Sequence, residues 1–529
     1  MCYTIMKHSN TLFLALLLVL VANGLFAQNQ APKVQNVTAS ANWLSKTLTI
    51  TFDALDMEND PLTVSVELSS DNGLTYQATS QATYTGDIGS GVMPGNGKQV
   101  TADLSAFNVV AGAVYRARVI ADDGQVFDLQ DLVNQVDSNR LRSDLTFVQG
   151  IRHRTAGAAH LAAVRDSIGH LFQEAGMHKG EQTWAYGNYT AKNVIGTSRG
   201  TAESNKVVIV DAHYDSVSNA PGADDNGSGV VGVMEIARLL APYPSNKTLR
   251  YIGFDLEEVG LVGSARYVTN GIPAGETIEG VLNFEMIGYY SDLPNTQTLP
   301  AGFNLVFPNE YNEVVNNQFR GNFLTNVGNT ASASLVNLFN SSSATYVPDL
   351  KIIDLLVPGN GQLVPDLARS DHAPFWNYGA KALMLTDGAN FRNSSYHEPH
   401  DTLGKLNFTF MSNVVKATLA TAFQLAEVQH AGWGTASFQN PVSVKEIVHC
   451  APQVRIMDQS LLFNFEQCIW KNAAFSIFDA NGRLVWEHTA QQMVAGQYRF
   501  DLPKFPTGVY VLHLNTSEGE WNHKFSMGF

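Results

Sequence analysis

Residues of the types that bind metal ions stand at the ends of successive apolar runs in this chain, and that placement restricts its fold more than any other feature. VVIVDAHYDS (207–216), GADDNGSG (222–229), GFDLEEVGLVGS (253–264), VLNFEMIGYY (281–290) and YHEPHDT (396–402) carry His213, Asp225, Glu258, Glu285 and His397, with Glu257 as an extra carboxylate. Open α/β sheets place their sites beyond the carboxyl ends of the strands. The candidate strands 207–210, 249–254, 281–284 and 382–386 are followed by His213 and Asp215, by Glu257 and Glu258, by Glu285, and by a loop with Tyr396 and His397. Independent runs thus deliver ligand-type side chains to one edge of a sheet, which scattered polar residues would not do. HLAAVRDSIGHLFQEAG (160–176) and GVVGVMEIARLL (229–240) read as helices between the β runs. Residues 126–432 are therefore expected to form an α/β domain whose mostly parallel mixed sheet is covered by helices.

Two imidazoles, three carboxylates and a free base are the set that two zinc ions and one activated water need. Asp215 stands two residues after His213, close enough to accept the second ring N–H of a metal-bound imidazole and fix its tautomer. Glycines at 222, 227 and 229 allow a tight turn that lets Asp225 bridge two metals, and Asp224 is read as capping the helix that follows. Glu257 and Glu258 end a hydrophobic strand, where like charges are costly to bury without cations. Adjacent side chains point apart, so Glu258 is assigned to metal and Glu257 to general base.

The remainder of the chain reads as flanking β structure. Residues 28–125 alternate apolar and polar positions between turns such as Asp71-Asn72-Gly73, a pattern of short strands expected to form a β-sandwich similar to immunoglobulin-like or fibronectin-type modules. DMENDP (56–61) in it is read as a solvated turn, with a calcium loop as the alternative. Residues 433–445 read as a linker and 446–529 as a second β-sandwich, with Asn481-Gly482 as a hairpin turn. TLFLALLLVLVANGLFA (11–27) resembles a secretory signal peptide cleaved after Ala27, and no later segment is long enough to span a bilayer. Cys2 would leave with it; Cys450 and Cys468 then form one disulfide or two buried free thiols. A net charge of −15 argues against nucleic acid as a partner.

HYDS, GADDNGSG, EEVGLVGS, EMIGY, RSDHAPF and YHEPHDT occur in this order, and together they resemble the co-catalytic di-zinc aminopeptidases of metallopeptidase clan MH, which also holds glutamate carboxypeptidases and glutaminyl cyclases. The resemblance covers about 130–430. It implies a zinc exopeptidase fold and two zinc ions. His213 and Glu285 would be terminal ligands of one zinc, Glu258 and His397 of the other, with Asp225 bridging and Glu257 shuttling the proton. Tyr396 would stabilise the tetrahedral intermediate, and Arg369 and Asp371 would stand near the substrate amine and behind the ligands. Many members carry Asp where this chain has Glu285, whose longer reach bears on geometry. His372 is expected to be structural or behind the ligands, His400 exposed, and His153 and His160 ordinary. The 291–365 segment is expected as a long polar loop over the site.

The function implied is a secreted aminopeptidase acting on peptides, with the preferred N-terminal residue, the native metal and the oligomeric state left open. Cobalt or manganese could replace zinc in such a donor set. Alternatives are a carboxypeptidase on the same scaffold, a glutaminyl cyclase, against which the presence of His213 argues, and a binding module with a vestigial site, against which the complete ligand set argues. IFDANGRLV (477–485), LPKFPTGVYVLHL (502–514) and HKFSMGF (523–529) resemble the C-terminal sorting domain of type IX secretion cargo. That implies export to the medium or cell surface through the secretion machinery; an ordinary accessory sandwich is the alternative.

Overall fold

A computed structural model describes residues 29–78, 84–105, 114–439, 453–457, 459–516 and 519–527. The expected signal segment and the Cys450 and Cys468 side chains lie outside the described residues. The chain divides into two compact units, the second made mainly of residues from Gln439 onward.

The centre of the first unit is an eight-stranded sheet. Its order is Ile352–Val357, Leu324–Asn329, Ala382–Thr386, Thr277–Glu285, Glu203–His213, Lys247–Phe254, Tyr189–Ser198 and His178–Tyr186. The five middle pairings include three parallel ones, around Glu203–His213 and Thr277–Glu285, with antiparallel strands towards the edges. Val207, Val208, Ile209 and Val210 are all fully buried, because helices cover both faces and leave no side of the strand in water. Gly229–Leu240 and the 19-residue helix Phe408–Ala426 contribute to the core on one face. Tyr267, Phe375 and Trp376 belong to the core on the other. Parallel register sets His213 opposite Phe254 and Glu285 opposite Thr386, so the strand ends finish level at one edge.

The 291–365 segment is not a loop. It contains the helices Phe303–Val306, Pro308–Asn316 and Ala333–Tyr346 and the two outermost strands on that side of the sheet. Its elements are short, and Ser and Asn within LTNVGN and ASLVNLFNSSSATY break the apolar periodicity that would have revealed them.

The N-terminal part of the same unit pairs two sheets. One runs Lys33–Asn42, Thr47–Leu55, Gly95–Asp103, Tyr84–Gly86; the other runs Gly432–Gln439, Val114–Asp122, Leu62–Ser69, Gln77–Ala78, with Gly89–Val92 also on Leu62–Ser69. The presumed linker over 433–445 thus begins as a strand that returns to the first module. Phe438 stacks on Tyr115 at 5.4 Å, and the Arg118 guanidinium lies between Tyr76 and Trp433, 4.0 and 4.1 Å from their ring centroids. Arg116 donates to the carbonyls of Gly176 and Met177 in the α/β part. In the 56–61 turn, Asp56 accepts the Asp60 amide at 2.9 Å.

The second unit is an antiparallel sheet of Gln453–Met457, Ser460–Asp479, Leu484–Asp501, Gly508–Thr516 and Gly519–Met527 around a core with Leu461, Phe463, Trp470, Phe475 and Leu512. Among the described residues no helix is long and apolar enough to cross a membrane.

If the returning strand is part of the first module's core, Phe438→Ala should lower stability by about 3–5 kcal/mol, the usual cost of truncating a buried Phe. Urea denaturation of the mature chain checks this; a change under about 1 kcal/mol would show that the strand contributes little.

Candidate metal centre

Strand ends and the loops after them bring every sequence-assigned ligand to one place. His213 closes its strand, and its Nε2 lies 3.4 Å from Glu285 Oε2, 3.5 Å from Asp225 Oδ1 and 3.9 Å from Glu257 Oε2. His397 Nε2 lies 3.1 Å from Asp225 Oδ2 and 3.0 Å from Glu258 Oε2. Asp225 therefore turns one oxygen to each histidine. Neither histidine Nε2 has a hydrogen-bond partner of acceptable geometry, and neither has Asp225 Oδ2, although all three are buried. Mutually facing donor atoms, two imidazole and the rest carboxylate, fit divalent cations.

The local backbone is unusual around these side chains. Leu256, Met286 and His397 adopt φ of 61°, 53° and 60°. Left-handed backbone costs an L-residue about 1–2 kcal/mol, and here it falls beside Glu257, beside Glu285 and at a ligand-type histidine itself. The Asp225–Asn226 peptide is cis.

Supporting contacts hold each carboxylate. Asp215 Oδ1 is 3.5 Å from His213 Nδ1, and the Asp215 carboxylate also accepts the backbone amides of Glu257 and Glu258 at 3.0 and 3.2 Å. It thus ties two strand ends together as well as facing the imidazole. Glu258 Oε1 accepts the Val217 amide, and Ser370 Oγ lies 2.7 Å from Glu285 Oε2. Asn226 accepts the amides of Gly229 and Met286 and donates to the Phe284 carbonyl. Asp224 does not cap the helix: it accepts the Gly288 amide and Asn393 Nδ2, linking two loops of the site. The helix begins after Ser228 without a side-chain cap.

Tyr396 stacks on His397 with centroids 3.8 Å apart, and its hydroxyl accepts from Arg369 Nη2 at 3.1 Å. Arg369 is also paired with Asp366 at 3.3 Å. Asp371 is fully buried behind the ligands, where desolvation pushes its carboxyl up to about 7 against the opposing influence of His213. His372 is buried against Trp376 with its Nε2 on the Leu367 carbonyl, and burial pulls its pKa down to about 4. His400 is exposed, His153 accepts turn amides of Thr155 and Ala156, and His160 contacts the carbonyls of Val148 and Gln149. Among these, Ser370, Asn226 and Asp401 lay within recognisable motifs without an assigned role; Arg152, fully buried beneath the site, carried no signal at all.

Electrostatics describe a site short of positive charge. Burial opposes a charge on His213, yet Glu257, Asp215 and Glu285 outweigh it and hold the imidazole pKa well above its usual value. Burial likewise opposes a charge on His397, but the facing carboxylates of Asp225 and Glu258 push it up to about 10. Desolvation raises Glu258 to about 7, with Asp225 adding and His397 opposing. Desolvation also sets Glu257 well above the carboxylate range, with His213 opposing and Glu285, Asp371 and Glu258 adding.

Beside the ligands opens a cleft with a cavity volume of about 70 Å³. Glu285, Asp366, Arg369 and Tyr396 stand on its lining, together with apolar side chains that include Phe303, Val314, Phe323, Leu355 and Met384. Phe303, Val314, Phe323 and Leu355 come from the segment expected to be a loop.

A mixed α/β sheet with histidines and carboxylates converging beyond its strand ends is the architecture of a metal-dependent hydrolase. Residues 193–422 match the model of peptidase family M28, and residues 458–527 that of the secretion system C-terminal sorting domain. An uncharacterized protein of Escherichia coli, YfbL, is 30% identical over 246 residues, 44% of this chain and 70% of that one. The chain belongs to peptidase family M28. Aminopeptidase YwaD of Bacillus subtilis is 42% identical over 107 residues, but the match spans only 20% of this chain and 23% of that enzyme. Among solved structures, a zinc aminopeptidase from Bacillus subtilis superposes on 46% of this chain and 52% of its own with 25% identity and a TM-score of 0.35.

A proton on His397 must leave before its Nε2 can bind a cation, so metal affinity should climb with pH until about pH 10. Zinc titration calorimetry in buffers of different ionisation enthalpy should show protons released on binding. Affinity that stays level from about pH 6 to 8 would contradict this picture.

Proposed function

We propose that this chain is an exported aminopeptidase with two zinc ions, removing N-terminal residues with large apolar side chains from peptides. The observation that carries this reading is the Asp225 carboxylate, one oxygen 3.5 Å from His213 Nε2 and the other 3.1 Å from His397 Nε2, with a further carboxylate beside each histidine. Asp225 would bridge the ions; His213 and Glu285 would complete one site, Glu258 and His397 the other. When bound, the zinc ions supply Lewis acidity toward a carbonyl oxygen and toward water.

The chain's own groups account for the rest. Glu257 faces His213 without entering the His397 pair, so its carboxylate is free to take a proton from the attacking water and hand it to the leaving amine. A positioned carboxylate of this kind is a usual carrier of the proton in metal-assisted hydrolysis. The Tyr396 hydroxyl, which accepts from Arg369, would donate to an oxyanion as it develops. Asp215 holds the tautomer of His213. Asp371, with no place on the cleft lining, would act from behind the ligands, where its charge favours a positive His213.

Several features favour a free amine over a free carboxylate as the group recognised. Glu285 and Asp366 lie on the cleft lining, and Arg369, the one basic residue lining it among the described residues, is already engaged by Asp366, Asn390 and Tyr396. The apolar depth beyond them fits a large hydrocarbon or aromatic side chain. The sorting-domain match supports export by the type IX route, to the medium or the cell surface.

The test is hydrolysis of aminoacyl-p-nitroanilides by the mature protein beside their N-acetylated forms, with and without chelator. Cleavage of free-amine substrates alone, abolished by chelator, is expected. Glu257→Gln should lower kcat by about 10²–10⁴-fold while zinc binding persists. A metal-loaded protein that cleaves none of them would end the aminopeptidase reading.

The cleft makes a separate prediction. Leucyl and phenylalanyl substrates should exceed alanyl ones in kcat/KM by about 10–200-fold or more. Val314→Trp, which fills the cleft from its wall, should remove most of that preference and spare the alanyl substrate. An unchanged ranking in a folded variant would place the side-chain pocket elsewhere.

A further inference from the structure

Arg152 is fully buried and, among the described residues, has no carboxylate partner at hydrogen-bond distance. A guanidinium carries its charge at any ordinary pH and five N–H groups in a rigid fork. Here the fork is spent on backbone carbonyls. Nε donates to Tyr214 at 2.8 Å, Nη1 to Val148, Gly150 and Pro221 at 2.9, 3.1 and 2.9 Å, and Nη2 to Gly222 at 2.8 Å with Asp225 O at 3.4 Å. Tyr214 follows His213; Pro221, Gly222 and Asp225 belong to the loop that carries the bridging carboxylate. One rigid plane therefore joins the two.

Asp401 takes the opposite polarity of the same backbone. Fully buried, it accepts the Asp224 amide at 2.9 and 3.2 Å and the Asp225 amide at 3.0 Å, and its own carbonyl accepts from Ala223 at 3.3 Å. It stands four residues after His397, so it couples the Asp225 loop to the second histidine. The room between is closed: Gly222 has φ +58°, and a Cβ there would lie 2.2 Å from Asp225 O and 2.8 Å from Arg152 Nη2. A cation on the carbonyls and an anion on the amides leave this loop no alternative set of partners.

We propose that Arg152 and Asp401 are positioning residues that fix the 221–225 backbone so that the Asp225 carboxylate spans the two histidines. The proposal rests on the metal-site reading above. Neither residue touches substrate; both act through Asp225. Removing either leaves the sheet and helices intact and lets Asp225 drift from the midpoint, weakening metal binding before it weakens folding.

The test uses the mature protein carrying R152K or D401N. Lysine keeps the charge without the fork. Asparagine keeps the shape but turns an NH2 toward one of the two amides. Zinc affinity by calorimetry and the visible spectrum of the cobalt form are measured beside circular dichroism. Native dichroism, zinc binding weaker by about 10–100-fold, an altered cobalt spectrum and a fall in kcat with little change in KM are expected. Folded variants with wild-type affinity and spectrum would overturn the proposal. Loss of native dichroism in both variants, with and without metal, would also overturn it, since the pair would then serve the fold and not the site. Wild-type protein that binds neither ion would instead refute the metal-site reading itself.

Discussion

The structure is organised around carboxylates that would repel one another if nothing intervened. Asp211, Asp215, Asp224, Asp225, Glu257, Glu285, Asp371, Asp387 and Asp401 are all buried at or near one edge of the sheet. Packing so many acids away from water is unfavourable unless each finds a proton, an amide, a cation or a metal. The chain distributes these remedies. Asp215 and Asp401 take backbone amides, Asp224 takes an amide and an asparagine, and Arg152 and Arg392 lie buried nearby as cations. What remains uncompensated is the set around His213 and His397. The charge deficit is thereby concentrated where metal would sit, and the raised imidazole pKa values are its signature.

The parts of this arrangement legible in the sequence were those that periodicity encodes. The runs at 207–210, 249–254, 281–284 and 382–386 became parallel or near-central strands because continuous apolar stretches have no other place than a sheet covered on both faces. Ligand-type residues following them came together because parallel register aligns their ends. Arg152 was invisible for the opposite reason. Its partners lie up to 73 residues away and are carbonyl oxygens, which every residue has, so no side-chain pattern announces them. The outer strands at 324–329 and 352–357 were missed because they are short and their neighbours are polar, and with them went the wall of the cleft.

Glu285 Oε2 lies 3.4 Å from His213 Nε2, and Ser370, itself buried, lies 2.7 Å from that oxygen and 3.0 Å from Asn283 Oδ1. Asn283 in turn donates to Asp211. The Glu285 carboxylate is thus tied into a series of hydrogen bonds running back along its own strand.

The strand at 432–439 has a bearing on how the molecule comes into being. It covers the edge of Val114–Asp122, and the Phe127 amide close to that edge meets His430 across 303 residues of sequence. An N-terminal module emerging first would wait with that edge bare until the whole catalytic portion had followed. Any product truncated inside the peptidase would keep a raw strand edge at its opposite end, open to chaperones, proteases or another chain. The last strand of this unit thus works as a completion mark: the first domain can close only on a chain whose catalytic domain has been made in full.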